Sequence, residues 1–147
     1  MENRKEFTFP SADGRTAIHA VEWHPAGEPA GILQIAHGVA EYALRYEPFL
    51  VVANDHLGHG ESVAEGAPRL YFGEKGSWQH VVDDMYTLRC RTGEAYPELP
   101  YFIMGHSMGS FLTRTYLIRY PGTVKGAILM GTGQNPDAML VGLSLIH

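Results

Sequence analysis

The sequence predicts a mostly parallel α/β sheet opened by an antiparallel hairpin, and three observations carry that prediction. Two short β-prone runs, Glu6–Pro10 and Thr16–His24, flank Ala12-Asp13-Gly14, a turn signal. Four later runs are almost continuously apolar and bounded by Gly, Pro or Asp, as parallel strands covered on both faces are. Between the later runs lie stretches whose apolar residues recur at helical spacing. Strand and helix in alternation imply right-handed parallel crossovers.

Taken in order, the hairpin comes first, at a sheet edge. In its second run Ile18, Ala20 and Glu22 share one face, with Val21 and Trp23 on the other. The apolar runs follow: Gly31–Ala36, Leu50–Ala53, Tyr101–Met104 and Gly126–Met130. The first two are closely spaced, because Phe49-Leu50 leads straight into Val51-Val52. A parallel crossover wants a dozen or more residues, so this one has little left for turns, and a deletion or lost residues is expected there. Residues 58–76, rich in Gly and Glu, predict a long surface excursion. Trp78, Val81, Val82, Met85 and Leu88 then mark a helix over Trp78–Arg89. Met108, Phe111, Leu112, Tyr116 and Leu117 mark a second, stopped at Tyr120-Pro121-Gly122.

Composition narrows the function classes. The length of 147 residues and 45% hydrophobic content suit one domain with a real core, not a disordered chain. A net charge of -5 leaves no electrostatic footprint for nucleic acid. Cys90 is the single cysteine, so an internal disulfide or multi-cysteine zinc site is excluded, and with no activator it reads as a structural thiol. The opening residues lack an apolar run, and no stretch approaches the ~18 residues of a membrane span, which predicts a soluble, cytoplasmic chain. Asp83 and Asp84 are expected to face solvent or pair with arginine. His56 and His59 beside Asp55, with His37 near, invite a metal reading. Their Gly-rich loop lacks the convergent support a zinc site wants, so a hydrogen-bonded loop and no metal are expected.

The chemistry concentrates in Gly105-His106-Ser107-Met108-Gly109, a G-x-S-x-G pentapeptide between a predicted strand and a predicted helix. A turn this tight needs glycine on both sides and holds Ser107 in a strained conformation that lifts its Oγ above the sheet. The helix N-terminus behind it favours developing negative charge. Acyl transfer also needs oxyanion donors. One is the Met108 N–H; the second is the Val39 N–H in His37-Gly38-Val39-Ala40-Glu41, where Gly38 permits close backbone approach. His106 is not the general base, because neighbours on a sharp turn point apart.

Three segments together, His37-Gly-Val-Ala-Glu-Tyr-Ala-Leu-Arg-Tyr46, Asn54-Asp-His-Leu-Gly-His-Gly-Glu-Ser62 and Gly105-His-Ser-Met-Gly-Ser110, resemble one group. It is the monoacylglycerol lipase/lysophospholipase branch of the α/β-hydrolase fold, also described as serine aminopeptidase-like hydrolases. The resemblance runs from about Phe7 to Gly133. It implies Ser107 as nucleophile, Val39 and Met108 as the oxyanion hole, and Gly105, Gly109, His37 and Gly38 as their support. It implies a structural loop at Asp55–Gly60, no cofactor, and single-chain acyl esters as substrates. An inserted cap would shape the acyl pocket and touch membrane surfaces transiently.

The triad needs an acid and then a histidine after the serine, and the resemblance implies that both lie past that cap, beyond His147. Asp137 and His147 stand in the right order, but the stretch between them is too short to bring a histidine back over Ser107. Met139–Ile146 reads either as core whose packing partner is absent or as the start of a lipid-facing cap helix, and the resemblance implies the cap. The expected division is therefore residues 1–133 as the N-terminal part of the core, truncated before the last strands, and 134–147 as an incomplete cap. Two alternatives stand beside the esterase: a peptidase or amidase on the same turn, and a non-catalytic fragment or binding module without acid and base.

Overall fold

Turn chemistry and register build the hairpin. β1 (Arg4–Pro10) pairs antiparallel with β2 (Ala17–Trp23), from Arg4 opposite Trp23 to Pro10 opposite Ala17. The Asp13 carboxylate closes the turn, accepting from the N–H groups of Arg15 and Thr16 (both 2.8 Å) and from Thr16 Oγ1 (2.7 Å). The computed structural model describes residues 3–38 and 49–133, and everything structural below refers to them.

Past the hairpin come β3 (Ile32–Ala36), β4 (Leu50–Asn54), α1 (Ser77–Ala95), β5 (Tyr101–His106), α2 (Met108–Arg119) and β6 (Gly126–Met130). The sheet order is β1-β2-β4-β3-β5-β6, with β2 antiparallel to β4 and all later pairs parallel. The short crossover does not prevent the β3–β4 pairing: Ile32 stands opposite Leu50 and Ile35 opposite Ala53. Most of its connection, with Val39, lies outside the described residues, as does 134–147 with Asp137, His147 and the expected cap segment.

Period two sorts the strand side chains. Ile18, Ala20, Ile32, Ala36, Leu50, Val52 and Ile103 join one cluster with Val81, Val82, Met85 and Leu88 of α1 and Leu112 and Tyr116 of α2. Leu33, Ile35, Val51 and Met104 are buried on the opposite face. Gln34 is polar on the helix-facing side, and its amide is satisfied there. Its Nε2 donates to the Met85 carbonyl (2.9 Å), and Tyr101 Oη donates to its Oε1 (2.8 Å). Trp78 Nε1 ties α1 to α2 through Thr115 Oγ1 (3.1 Å).

Asp84 corrects the solvent-facing expectation. Its carboxylate is buried and accepts from Ser11 Oγ (2.7 Å) and the Ala12 N–H (2.6 Å), which docks the hairpin turn onto α1. Asp83 does pair as expected, with Arg119 Nε (2.8 Å) and Tyr120 Oη (2.6 Å).

Because β3, β4 and β5 run parallel, the loops leaving their C-terminal ends share one edge of the sheet, where open α/β sheets bind ligands. His37-Gly38 follows β3, Asp55–Ser62 follows β4 and Ser107 follows β5.

Candidate active site

Ser107 forms the turn between β5 and α2 with φ 51° and ψ -118°, a conformation that non-glycine residues rarely take. Its backbone holds it there. The Ser107 N–H donates to the Met130 carbonyl at the end of β6 (2.9 Å). Its own carbonyl accepts from the Ser110 N–H (2.9 Å) and from Ser110 Oγ (2.6 Å). Met108 and Gly109 begin α2, so their N–H groups are among those without an intrahelical acceptor and point toward the turn.

The two flanking glycines are required by space. A Cβ on Gly105 would overlap the Gly109 carbonyl and stand 2.5 Å from Thr113 Oγ1. One on Gly109 would overlap the Ala36 carbonyl and stand 2.9 Å from the His37 oxygen. β3 thus runs directly under the start of α2, an approach only a bare Cα allows. Gly38 follows the same rule more loosely: its Cβ position lies 3.2 Å from Ser107 Cβ and 3.3 Å from the His106 carbonyl. The loop after β3 therefore lies against the serine.

The Asp55–Ser62 loop is hydrogen-bonded, as expected for a Gly-rich histidine loop. His19 of β2 anchors it: its N–H donates to Ser62 Oγ (2.9 Å), its Nδ1 meets Asp55 Oδ2 (3.0 Å), and its carbonyl accepts from the Asp55 N–H (2.9 Å). His37 and His56 stack, with ring centroids 4.2 Å apart, and His59 borders both. Burial holds the His37 and His56 imidazoles neutral by pushing both below the ordinary histidine range, His56 well below it. Among the described residues no group of three His, Cys, Asp or Glu could hold a metal ion. Nor does any helix have the length and apolarity to cross a membrane.

A strained serine at a strand–helix turn, glycines stripped to let the neighbouring strand approach, and a Gly loop against the serine give this turn the geometry of a nucleophile elbow. The family described as "Serine aminopeptidase, S33", a hydrolase family, matches residues 27–146. The chain belongs to that family. The monoacylglycerol lipase of Mycolicibacterium smegmatis is 34% identical over 141 residues, covering 90% of this chain and 48% of its own length. The human monoglyceride lipase is 33% identical over 131 residues, covering 82% of this chain and 40% of its own. A thermostable carboxyl esterase from Bacillus coagulans, solved in complex with glycerol, superposes with a TM-score of 0.83 at 35% identity. That match covers 99% of this chain and 50% of the esterase. The α/β-hydrolase fold and the monoacylglycerol lipase-like branch read from the motifs are therefore correct. The chain spans about half the length of these relatives.

Of the residues singled out in the sequence, Gly38, Gly105, Ser107, Met108 and Gly109 converge at one point, and His37 borders it. Val39 lies outside the described residues. Sequence reasoning missed His19 as the anchor of the β4 loop. Its signal was available: in the alternating pattern of β2 it is polar among residues that turn out buried.

Proposed function

We propose that this chain carries the nucleophile and oxyanion hole of a serine ester hydrolase acting on single-chain lipids, monoacylglycerols and lysophospholipids among them. The observation that carries the reading is Ser107, strained at the strand–helix turn with Gly38 against it. Ser107 Oγ attacks the acyl carbonyl, its proton passes to a histidine base, and the alcohol leaves to give an acyl-enzyme that water then hydrolyses. The Met108 and Val39 N–H groups hold the oxyanion of each tetrahedral intermediate. No cofactor enters these steps.

The base and its acid partner come from chain that follows residue 147. In support, His19, His37, His56 and His59 each direct a ring nitrogen to a partner other than Ser107. The monoacylglycerol and monoglyceride lipases among the relatives, and the glycerol bound by the esterase, support a glyceride-like ester. Residues 134–147 belong to the cap in this reading, whose Met139–Ile146 run supplies apolar surface for a transient membrane contact. The acidic, single-cysteine composition suits action in the cytoplasm.

The test is fluorophosphonate labelling with intact mass, beside turnover of a monoacylglycerol, on the full-length protein and its Ser107→Ala variant. One adduct, lost in Ser107→Ala together with at least roughly 10³-fold in kcat, is expected. Label or turnover that survives the substitution overturns the assignment. Residues 1–147 alone are expected to stay unlabelled while folded; an adduct there would place the base within this chain. Preference for an aminoacyl anilide over the ester would replace the esterase with a peptidase.

A further inference from the structure

The backbone beside Ser107 is gripped from the β4 loop by one residue, His56, through its backbone and its side chain. Its backbone N–H donates to His37 Nε2 (3.1 Å), and its own Nε2 lies 3.2 Å from the His37 carbonyl. A backbone N–H can only donate, so His37 Nε2 is the acceptor, and the proton of the neutral His37 ring sits on Nδ1. That Nδ1–H donates to the Gly38 carbonyl. A backbone carbonyl can only accept, so His56 carries its proton on Nε2. The chain of donors has one consistent direction: His56 to His37, and His37 to the Gly38 peptide.

On its other side the same backbone meets the nucleophile helix. The His37 oxygen lies 2.9 Å from where a Cβ on Gly109 would be, and the Gly38 Cβ position lies 3.2 Å from Ser107 Cβ. His37-Gly38 is thus held between the His56 ring and the first turn of α2.

We infer that His56 is a positioning residue for the backbone that lies against Ser107: its Nε2–H holds the His37 carbonyl, and its backbone N–H holds the His37 ring on the Gly38 carbonyl. His56 is completely buried and touches no reacting atom, so it acts only through His37. Its Nδ1 has no hydrogen-bond partner among the described residues, an orphan acceptor tolerated for the sake of the donor on Nε2. Asp55, His59 and His37 are the titratable groups whose fields reach this pair. The inference rests on the esterase reading and deepens it.

The test compares His56→Leu with His56→Gln in the full-length protein, since a glutamine amide places an N–H donor near the position of Nε2. His56→Leu is expected to lower kcat roughly 10- to 100-fold with KM within about threefold. His56→Gln is expected to restore kcat to within about fivefold of the parent. Full kcat in His56→Leu, or an equal loss in both variants, overturns the inference; a raised KM at unchanged kcat does the same. Should His56→Leu fail to fold, ¹⁵N imidazole shifts of the parent protein decide. A proton on His37 Nδ1 and on His56 Nε2 is expected, and a His56 proton on Nδ1 overturns the clamp. A parent protein without ester turnover overturns the esterase reading itself, whereas an active parent with an indifferent His56 overturns only the positioning role.

Discussion

At Ser107 the backbone strain of roughly 1–3 kcal/mol has to be offset by what surrounds it, and the offsetting groups are few. They are the Met130 carbonyl, the Ser110 hydroxyl, and the two glycines that let β5, α2 and β3 meet. Gly109→Ala drives a methyl into the Ala36 carbonyl, backbone against backbone, where no rotamer change relieves the overlap. Unfolding in urea should show a loss of about 3 kcal/mol or more. Gly27 makes the control, since its Cβ position is open and its φ is not in the left-handed region. Gly27→Ala should change stability by less than about 1 kcal/mol, or raise it slightly by restricting the unfolded chain. Equal effects at the two positions would mean that the turn can open to accept a side chain. This part of the site was legible in the sequence because the pentapeptide is local: strand, turn and helix lie within a few residues. His56 was legible only as a member of a histidine-rich loop. Its grip on His37 depends on the β3–β4 register, which sets two segments distant in sequence side by side.

Between elements, the junction of the hairpin with α1 shows what helical periodicity reveals and what it hides. Val81, Val82, Met85 and Leu88 mark the buried stripe, and all four are fully buried. Asp84 lies three residues after Val81 and four before Leu88, on that same stripe, so a solvent-facing aspartate was inconsistent with the pattern. What the sequence could not supply was the partner, because Ser11 and Ala12 sit at the far end of another element. Burial pushes the Asp84 carboxyl up to about 6 from an ordinary 3.8, against the lowering effect of its two hydrogen bonds. The folded state then holds this proton more tightly than the unfolded chain. The stabilisation is complete below the unfolded value of 3.8 and is lost as pH rises through about 6. His37 and His56 act in the opposite sense: their lowered values destabilise the fold as pH falls below the ordinary 6.5. That contribution is common to the parent and to Asp84→Asn, and cancels in their difference. Urea titrations at pH 4 and pH 7 should therefore show the parent losing about 1–3 kcal/mol relative to Asp84→Asn on going to the higher pH. A difference of the reverse sign would mean that the charged carboxylate is the favoured buried form.

For the molecule as a whole, the strands were legible because parallel strands buried on both faces are written as short apolar runs. β3 is buried at all five of its positions. Their lateral order was not legible from those runs. Placing β4 between β2 and β3 depends on non-local pairing, and the crossover that leads to it looked too short for a pair that nevertheless forms. β6 departs from the pattern in a different way. Its sequence, Gly126–Met130, is as apolar as the others, yet Ile128, Leu129 and Met130 are 50%, 38% and 45% exposed. It is the outermost strand, paired with β5 on one side only among the described residues. An apolar strand with an open row of N–H and C=O groups is a template for pairing with another chain. Residues 1–147 expressed alone are therefore expected to associate as concentration rises, seen as a growing weight-average mass in sedimentation velocity. Ile128→Lys with Met130→Lys places two charges on one face of that strand and should return the chain to a monomer. Neither residue lies in the helix-covered cluster, so the fold should tolerate both changes, with far-UV circular dichroism unchanged. A parent chain that stays monomeric at high concentration would show that this edge is already covered.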